Sequence, residues 1–362
     1  MKYHGFVLAL SAIVAAATPT GPSADATCTV TNFDDVANAV SSCTDLVIQD
    51  LTVPAGKALQ LDLKSGTKLT FKGTIKFDFL NWEGPLLVIS GSSVTVEGSG
   101  ATLNGQGEKY WDGKGGSGTT KPVFVKIKTK ANSVLNNVNL LNCPERCVSI
   151  NADDTNLNGW NIDVSAGDTQ GGHNTDGFDV SNTNNLHIDH ATVQNQDDCV
   201  AVNQGTNMVF SNLDCSGGHG LSISVGLSSS NGSPNTVSNI TFTDSKVRKS
   251  ANGLHIKTHP TGGTGAVKDV TYNNIVISDI TNYGIEIQED YGDVGNPKAN
   301  IPITNLILKQ YTGTVSGSKA KQVSIVCASG GCSNWNWDGV SISGAKVKDD
   351  CNFQPNGYKC NT

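Results

Sequence analysis

Short apolar–polar–apolar triplets recur along the chain, separated by stretches rich in glycine, asparagine and aspartate. They read Val148-Ser-Ile150, Phe178-Asp-Val180, Val200-Ala-Val202, Leu221-Ser-Ile223, Leu254-His-Ile256 and Ile285-Glu-Ile287, with first residues 30, 22, 21, 33 and 31 positions apart. A period of two is that of a strand with one buried face. It turns Leu254 and Ile256 inward and His255 and Lys257 outward. A second set of strands lies between the first: Leu186-His-Ile188, Met208-Val-Phe210, Val237–Phe242 and Val270-Thr-Tyr272, with corners such as Asn182–Asn185. No single unit is large enough to bury its own apolar face, so stacked neighbours must share one continuous core. The predicted fold is all-β, a right-handed parallel β-helix solenoid. An antiparallel sandwich or barrel needs tight hairpins at closer spacing, and these are few. Phe33–Ser42 has helical spacing with Asp34 and Asp35 at its start, and is expected to form a short helix capping the N-terminal end of the core.

The remaining segments fit one secreted domain. Lys2, the apolar run Phe6–Ala17 and the small residues Ala15–Ala17 read as a signal peptide over 1–17; the run is too short for a membrane anchor. Residues 18–26 read as a leader or pro-segment, and 27–362 as a single β-helix domain. No later run is apolar for eighteen residues, so a membrane is not an expected partner. Ten cysteines in such a chain read as disulfides. Cys28–Cys43, Cys199–Cys215, Cys327–Cys332 and Cys351–Cys360 suggest themselves. Cys143 and Cys147 are near enough to pair, but across a Pro-Glu-Arg spacer that could strain the bond. Asn231 and Asn239 head glycosylation sequons, with Pro234 close behind the first. Neither a Cys-x-x-Cys pair nor a His-rich spacing suggests zinc. A net charge of −7 disfavours nucleic acid and anionic membrane as partners, and requires that a polyanionic substrate be met by local cations.

The repeat brings polar residues together. Asp176, Asp198 and His219 each stand two residues before a triplet, so they should form a ladder about 4.8 Å per step along one face. Asp197 adds a third carboxylate, and His255 and Lys257 project from the same wall one coil later. Clustered like charges should raise one carboxyl pKa, which is what a general acid needs beside a carboxylate that activates water. Two bland readings compete. Aspartates in such turns often only cap backbone amides, and an acidic cluster can hold calcium, although Lys257 and His219 oppose a cation there.

These residues resemble the polygalacturonases, family 28 of the glycoside hydrolases. The resemblance rests on Asn174-Thr-Asp176, Gln196-Asp197-Asp198-Cys199, Ser216-Gly-Gly-His219-Gly220-Leu-Ser and His255-Ile-Lys257. Tyr110-Trp-Asp-Gly113, Val200-Ala-Val202 and Gln288-Glu-Asp-Tyr291 support it, and it extends from Cys28 to Cys360. It implies a secreted, extracellular, inverting endo-acting hydrolase of the α-1,4 bonds of pectic homogalacturonan, similar to the compact fungal and insect enzymes. Asp197 would be the general acid, Asp176 and Asp198 would activate water, and His219 would tune Asp197. Lys257 would bind a substrate carboxylate, Tyr291 and Gly220 would lie at the substrate, and Asn174 would hold the site. It implies no metal or organic cofactor, and a plant polygalacturonase-inhibiting protein as a partner; a capped solenoid with no obvious apolar patch reads most simply as a monomer.

Two departures matter. The family pattern is Arg-Ile-Lys where this chain has His255-Ile-Lys257. Losing a charged hydrogen bond costs about 1.5–3 kcal/mol, and a protonated His255 would recover part of it at acidic pH. His255 therefore leaves open a galacturonan-binding homologue with weak or absent catalysis, an altered pectic substrate, or a solvated surface histidine. Gly220-Leu-Ser-Ile-Ser-Val-Gly226 is also one residue shorter than the family run, which should affect the turn that follows. A pectate lyase shares the fold and polymer but needs calcium and an arginine near the aspartates, which is not evident.

Overall fold

The computed structural model describes residues 1–2 and 27–361. The leader and cleavage readings fall outside these residues. Among them the strands form parallel sheets and almost nothing else. One sheet has 11 strands, in the order Leu59–Asp62, Leu87–Ser92, Val125–Lys130, Val148–Ile150, Phe178–Val180, Val200–Val202, Leu221–Val225, Asn252–Thr258, Tyr283–Gln288, Lys321–Val326 and Asp350–Cys351. All six predicted triplets lie here and pair in chain order: Val148, Phe178, Val200, Leu221, Leu254 and Ile285 are partners in succession. The other walls form a continuous 21-stranded sheet that contains the second set of strands. The architecture is the predicted right-handed parallel β-helix.

The corners follow from side-chain chemistry. In successive coils one residue turns the chain with positive φ: Asn185 (57°), Asn207 (58°), Asn239 (55°), Asp269 (56°) and Asn305 (55°). Asparagine and aspartate tolerate this region better than other L-residues. Here they also bond to the coil before: Asn185 Nδ2 donates to Asp154 Oδ1 at 2.7 Å, Asn239 to Asn207 at 2.8 Å and Asn305 to Asp269 at 2.6 Å. The asparagine-rich composition is thus the corner of the solenoid. Asn231 and Asn239, the sequon residues, are both exposed.

Inward residues stack into one core from Val30 to Cys360. Phe210, Phe242 and Tyr272 lie on consecutive coils with rings 4.8 and 4.7 Å apart, interplanar angles 17° and 9°, and full burial. Phe242→Ala leaves a cavity between two rings that the rigid coils cannot close. It is expected to cost about 3–5 kcal/mol, read as a lower denaturant midpoint. The N-terminal end is closed by a 3₁₀ turn Phe33–Asp35 and a helix Val36–Ser42, which buries Val36, Ala39 and Val40. Asn32 accepts from the Asp34 N–H at 3.2 Å to start it. All four predicted disulfides are present, and Cys143 bonds Cys147 across the Pro-Glu-Arg spacer.

Candidate active site

The 11-stranded wall aligns the site. Because Val148, Phe178, Val200, Leu221 and Leu254 are successive partners, the residues two places earlier form their own row: Arg146, Asp176, Asp198, His219 and Asn252. Backbone bonds continue the pairing into that row from Cys147 N to Asp176 O (2.8 Å) and from Gly177 N to Asp198 O (2.9 Å); at the next coil Cys199 N reaches Gly220 O (2.9 Å), and the His219 N–H donates to Asp197 O (2.8 Å). The predicted Asp–Asp–His ladder is therefore present, with Arg146 before it and Asn252 after it. Gly220 turns with φ +89°, and a Cβ there would come within 2.3 Å of Asn252 O. A side chain at this position would collide with the next coil, so the turn after His219 requires glycine. The shorter run after it leaves Leu221–Val225 in unbroken register with Leu254–Thr258.

Side chains from this row and the next line an open groove of about 640 Å³; Asn174, Asp176, Asp197, Asp198, His219, Lys257 and Tyr291 all reach it. Asp197 is 7% and Asp198 2% exposed, and Asp176 is half-buried. Asp197 accepts from Asn174 Nδ2 at 3.0 Å and from its neighbour's Asp198 N–H at 2.8 Å, and its Oδ1 is 3.0 Å from His219 Nδ1. Asp198 accepts from Ser222 Oγ at 2.5 Å and from Lys257 Nζ at 2.8 Å. Asp176 has neither cation as a direct partner.

These surroundings separate the three carboxyls. Burial, then the charges of Asp197, Asp179 and Asp198, drive Asp176 well above the usual carboxylate range. Burial also raises Asp198, partly offset by the Lys257 charge. Asp197 feels burial too, but the hydrogen bond and charge of His219 with the Asp198 N–H outweigh it, and its pKa lies below the ordinary value. The bond to Asp197 raises His219 in turn. Clustering was expected to raise one carboxyl; it raises the two that lack the imidazole, while the proton of the Asp197–His219 pair resides on the ring. The cluster thus holds ionised and protonated groups side by side on an open groove, as acid–base cleavage of a glycosidic bond requires. Donor atoms of Asp197, Asp198 and His219 lie within 4.8 Å of one another, yet Lys257 and His219 already supply positive charge there.

His255 projects outward as predicted but is neither solvated nor poised to carry charge. It is 6% exposed and lies edge-on to Tyr291 with ring centroids 5.7 Å apart. Asn252 Nδ2 is 3.2 Å from Nδ1, while Gln288 Nε2 and Glu286 Oε2 are 2.9 and 3.3 Å from Nε2. Burial, then the charges of Lys257 and His219, push its pKa well below 6.5, so the expected acid-pH recovery of charge does not follow. Burial raises Glu286 beside it to about 7. The sequence reading did not single out Ser222, Asn252 and Glu286, although the outward position of the triplet Leu221-Ser222-Ile223 was the available signal for Ser222.

A parallel β-helix that carries clustered carboxyls along an open groove has the parts that hydrolysis of a glycosidic bond requires. Residues 43–360 match the model of Glycosyl hydrolases family 28, and the chain belongs to that family. It is 49% identical to a polygalacturonase of Phaedon cochleariae over 98% of this chain and 99% of that protein. It is 44% identical to endopolygalacturonase I of Aspergillus niger over 92% and 91%. Among solved structures, endopolygalacturonase I of Stereum purpureum, complexed with two galacturonates, superposes with a TM-score of 0.82 at 35% identity, covering 92% of this chain and 100% of that one.

Proposed function

We propose that this chain is a secreted, inverting endo-polygalacturonase that hydrolyses the α-1,4-galacturonosyl bonds of homogalacturonan. The observation that carries the reading is the triad Asp176, Asp197 and Asp198 on an open groove, with His219 bonded to the one and Lys257 to another. Asp197 takes the proton that the His219 ring holds at Nδ1, 3.0 Å away, and passes it to the glycosidic oxygen, so His219 is left neutral and Asp197 ionised. Asp176 and Asp198, whose raised basicity suits proton abstraction, activate the water that attacks the anomeric carbon. Lys257, 5.2 Å from the Tyr291 ring centroid, meets a substrate carboxylate alongside Tyr291, and Asn174 orients Asp197. The five disulfides fit an oxidising, extracellular location. A monomer and recognition by a plant inhibitor protein complete the proposal.

The test is purified protein with polygalacturonic acid and EDTA, from acidic to neutral pH, following reducing ends and ultraviolet absorbance together. Reducing ends without absorbance are expected, with long oligomers first. Absorbance lost on adding EDTA would instead identify a calcium-dependent lyase.

Buried, neutral His255 favours a second reading, in which affinity for the free acid is weakened or the pectic substrate altered. His255→Arg gives a permanent cation beside Glu286, with the reach to pass the edge of Tyr291. The Michaelis constant on polygalacturonate is expected to fall roughly tenfold. An unchanged constant would leave His255 a packing residue behind the groove wall.

A further inference from the structure

We propose that the side of the groove beyond the catalytic carboxylates accepts a galacturonosyl residue whose carboxyl is methyl-esterified, with Leu227 against the ester methyl and Lys257 donating to the ester carbonyl. This rests on the polygalacturonase reading above and names the form of pectin that the site takes.

One side wall of the groove is built from three successive coils past Asp198. Leu227 follows the strand Leu221–Val225, His259 follows Asn252–Thr258 and Tyr291 follows Tyr283–Gln288, and all three line the groove. Backbone bonds tie these coils together: the His259 N–H donates to Val225 O at 2.9 Å and the Tyr291 N–H to Thr258 O at 3.2 Å. Gly226 makes the turn that delivers Leu227. Its φ is +105°, and a Cβ there would lie 3.0 Å from His259 O and 2.6 Å from Ile301 Cδ1. Leu227 is held out from this turn with 67% of its surface exposed. Beside it the His259 ring lies edge-on to Tyr291, with centroids 5.1 Å apart, and its Nε2 is 3.4 Å from Ser224 Oγ. Burial, and then the Lys257 charge, hold His259 below its ordinary 6.5, so this wall is uncharged near neutral pH. An uncharged wall with one free aliphatic face suits a methyl group better than a carboxylate.

Positive charge on this side is correspondingly scarce. Among the described residues lining it, Lys257 is the permanent cation, and it is held 2.8 Å from Asp198. His255, where the family pattern places arginine, is buried and neutral. A free carboxylate here would face Asp197 and Asp198 across one shared ammonium. A methyl ester brings no charge, and its carbonyl oxygen can still accept from Lys257, because an ammonium carries three donors. Lys257 thus serves a free carboxylate or its ester, and Leu227 tips the choice towards the ester. The ester is bound and left intact; the glycosidic bond is the one cleaved.

The experiment measures kcat/KM of the full chain on polygalacturonate and on highly methyl-esterified homogalacturonan, with mass spectrometry of the products. The variants are Leu227→Ser, Leu227→Lys and, as a control on the far wall, Val276→Lys, whose parent residue is 45% exposed. The parent is expected to cleave both polymers and to leave methyl esters at one newly formed end, the same end in every product. Leu227→Ser should lower the ester-to-acid ratio of kcat/KM roughly fourfold, through lost apolar burial. Leu227→Lys should lower it severalfold further by pairing with the free carboxylate, and should make KM on polygalacturonate more dependent on salt. Val276→Lys should leave the ratio where it is. Products whose new ends are always unesterified overturn the proposal, as does a ratio that Leu227→Lys leaves unchanged. A ratio that Val276→Lys moves equally also overturns it, since net charge then accounts for the change. The polygalacturonase reading fails separately, if the parent releases no reducing ends from either polymer.

Discussion

Asp197→Asn is expected to abolish release of reducing ends from polygalacturonate, lowering turnover by about a thousandfold or more, while circular dichroism and the melting temperature stay near those of the parent. A positioned acid contributes on the order of 10²–10⁴ in rate, and an amide cannot supply the proton. The fold is expected to survive because asparagine matches aspartate in size and shape at this buried position. The partners of Asp197 are Asn174, His219 and a backbone N–H, all on the groove side. Asparagine keeps one oxygen to accept from the Asp198 N–H. The exchange also relieves repulsion that raises Asp176 and Asp198, so both should ionise at lower pH in the variant. His219 loses the partner that raises it and should titrate nearer 6.5. A nuclear magnetic resonance titration of His219 would register that fall even with no turnover to measure. Substantial residual hydrolysis would move the acid role to Asp176 or Asp198, the carboxyls that hold protons most readily.

Much of this site was legible because the solenoid converts a linear offset into a spatial row. Asp176, Asp198 and His219 share one offset from their triplets, and hydrogen-bonded register preserved it. Arg146 shares the same offset from Val148 but was passed over, since the spacer Pro144-Glu145-Arg146 was read only as a span between cysteines. Exposure was harder to anticipate. Period-two alternation states which way His255 points and says nothing of what covers it. Its burial depends on Tyr291, which lies 36 positions later in the chain, and on Glu286 and Gln288 from the adjacent strand. The distribution of charge was equally hidden. Three clustered aspartates promise a raised pKa, but which of them receives the imidazole and which the ammonium is decided by contacts of 3.0 and 2.8 Å that no spacing encodes.

Lys257→Gln is expected to lower kcat/KM by about a hundredfold and to move the acidic limb of its pH profile to higher pH. Lys257 and Asp198 are 8% and 4% exposed at their side chains and 2.8 Å apart; removing one member of such a pair leaves a buried charge unmatched. Asp198 responds by holding its proton more tightly. Burial already raises it, and the Lys257 charge is the strongest influence in the opposite direction. Water activation needs Asp198 ionised, so activity in the variant begins at higher pH. On the alkaline side His219, raised by Asp197 and slightly lowered by Lys257, should lose its proton at marginally higher pH, and the whole profile shifts upward. Stability follows the same sign. A carboxyl with a folded pKa above its unfolded value stabilises fully below the unfolded pKa and loses that contribution as pH rises through the folded one. The melting temperature of Lys257→Gln should therefore lie nearest the parent at low pH and fall increasingly behind it as pH rises through the Asp198 titration. An acidic limb that stays in place while activity falls would mean that ionisation of Asp198 does not gate the reaction, leaving Asp176 as the base and Lys257 as a substrate ligand alone.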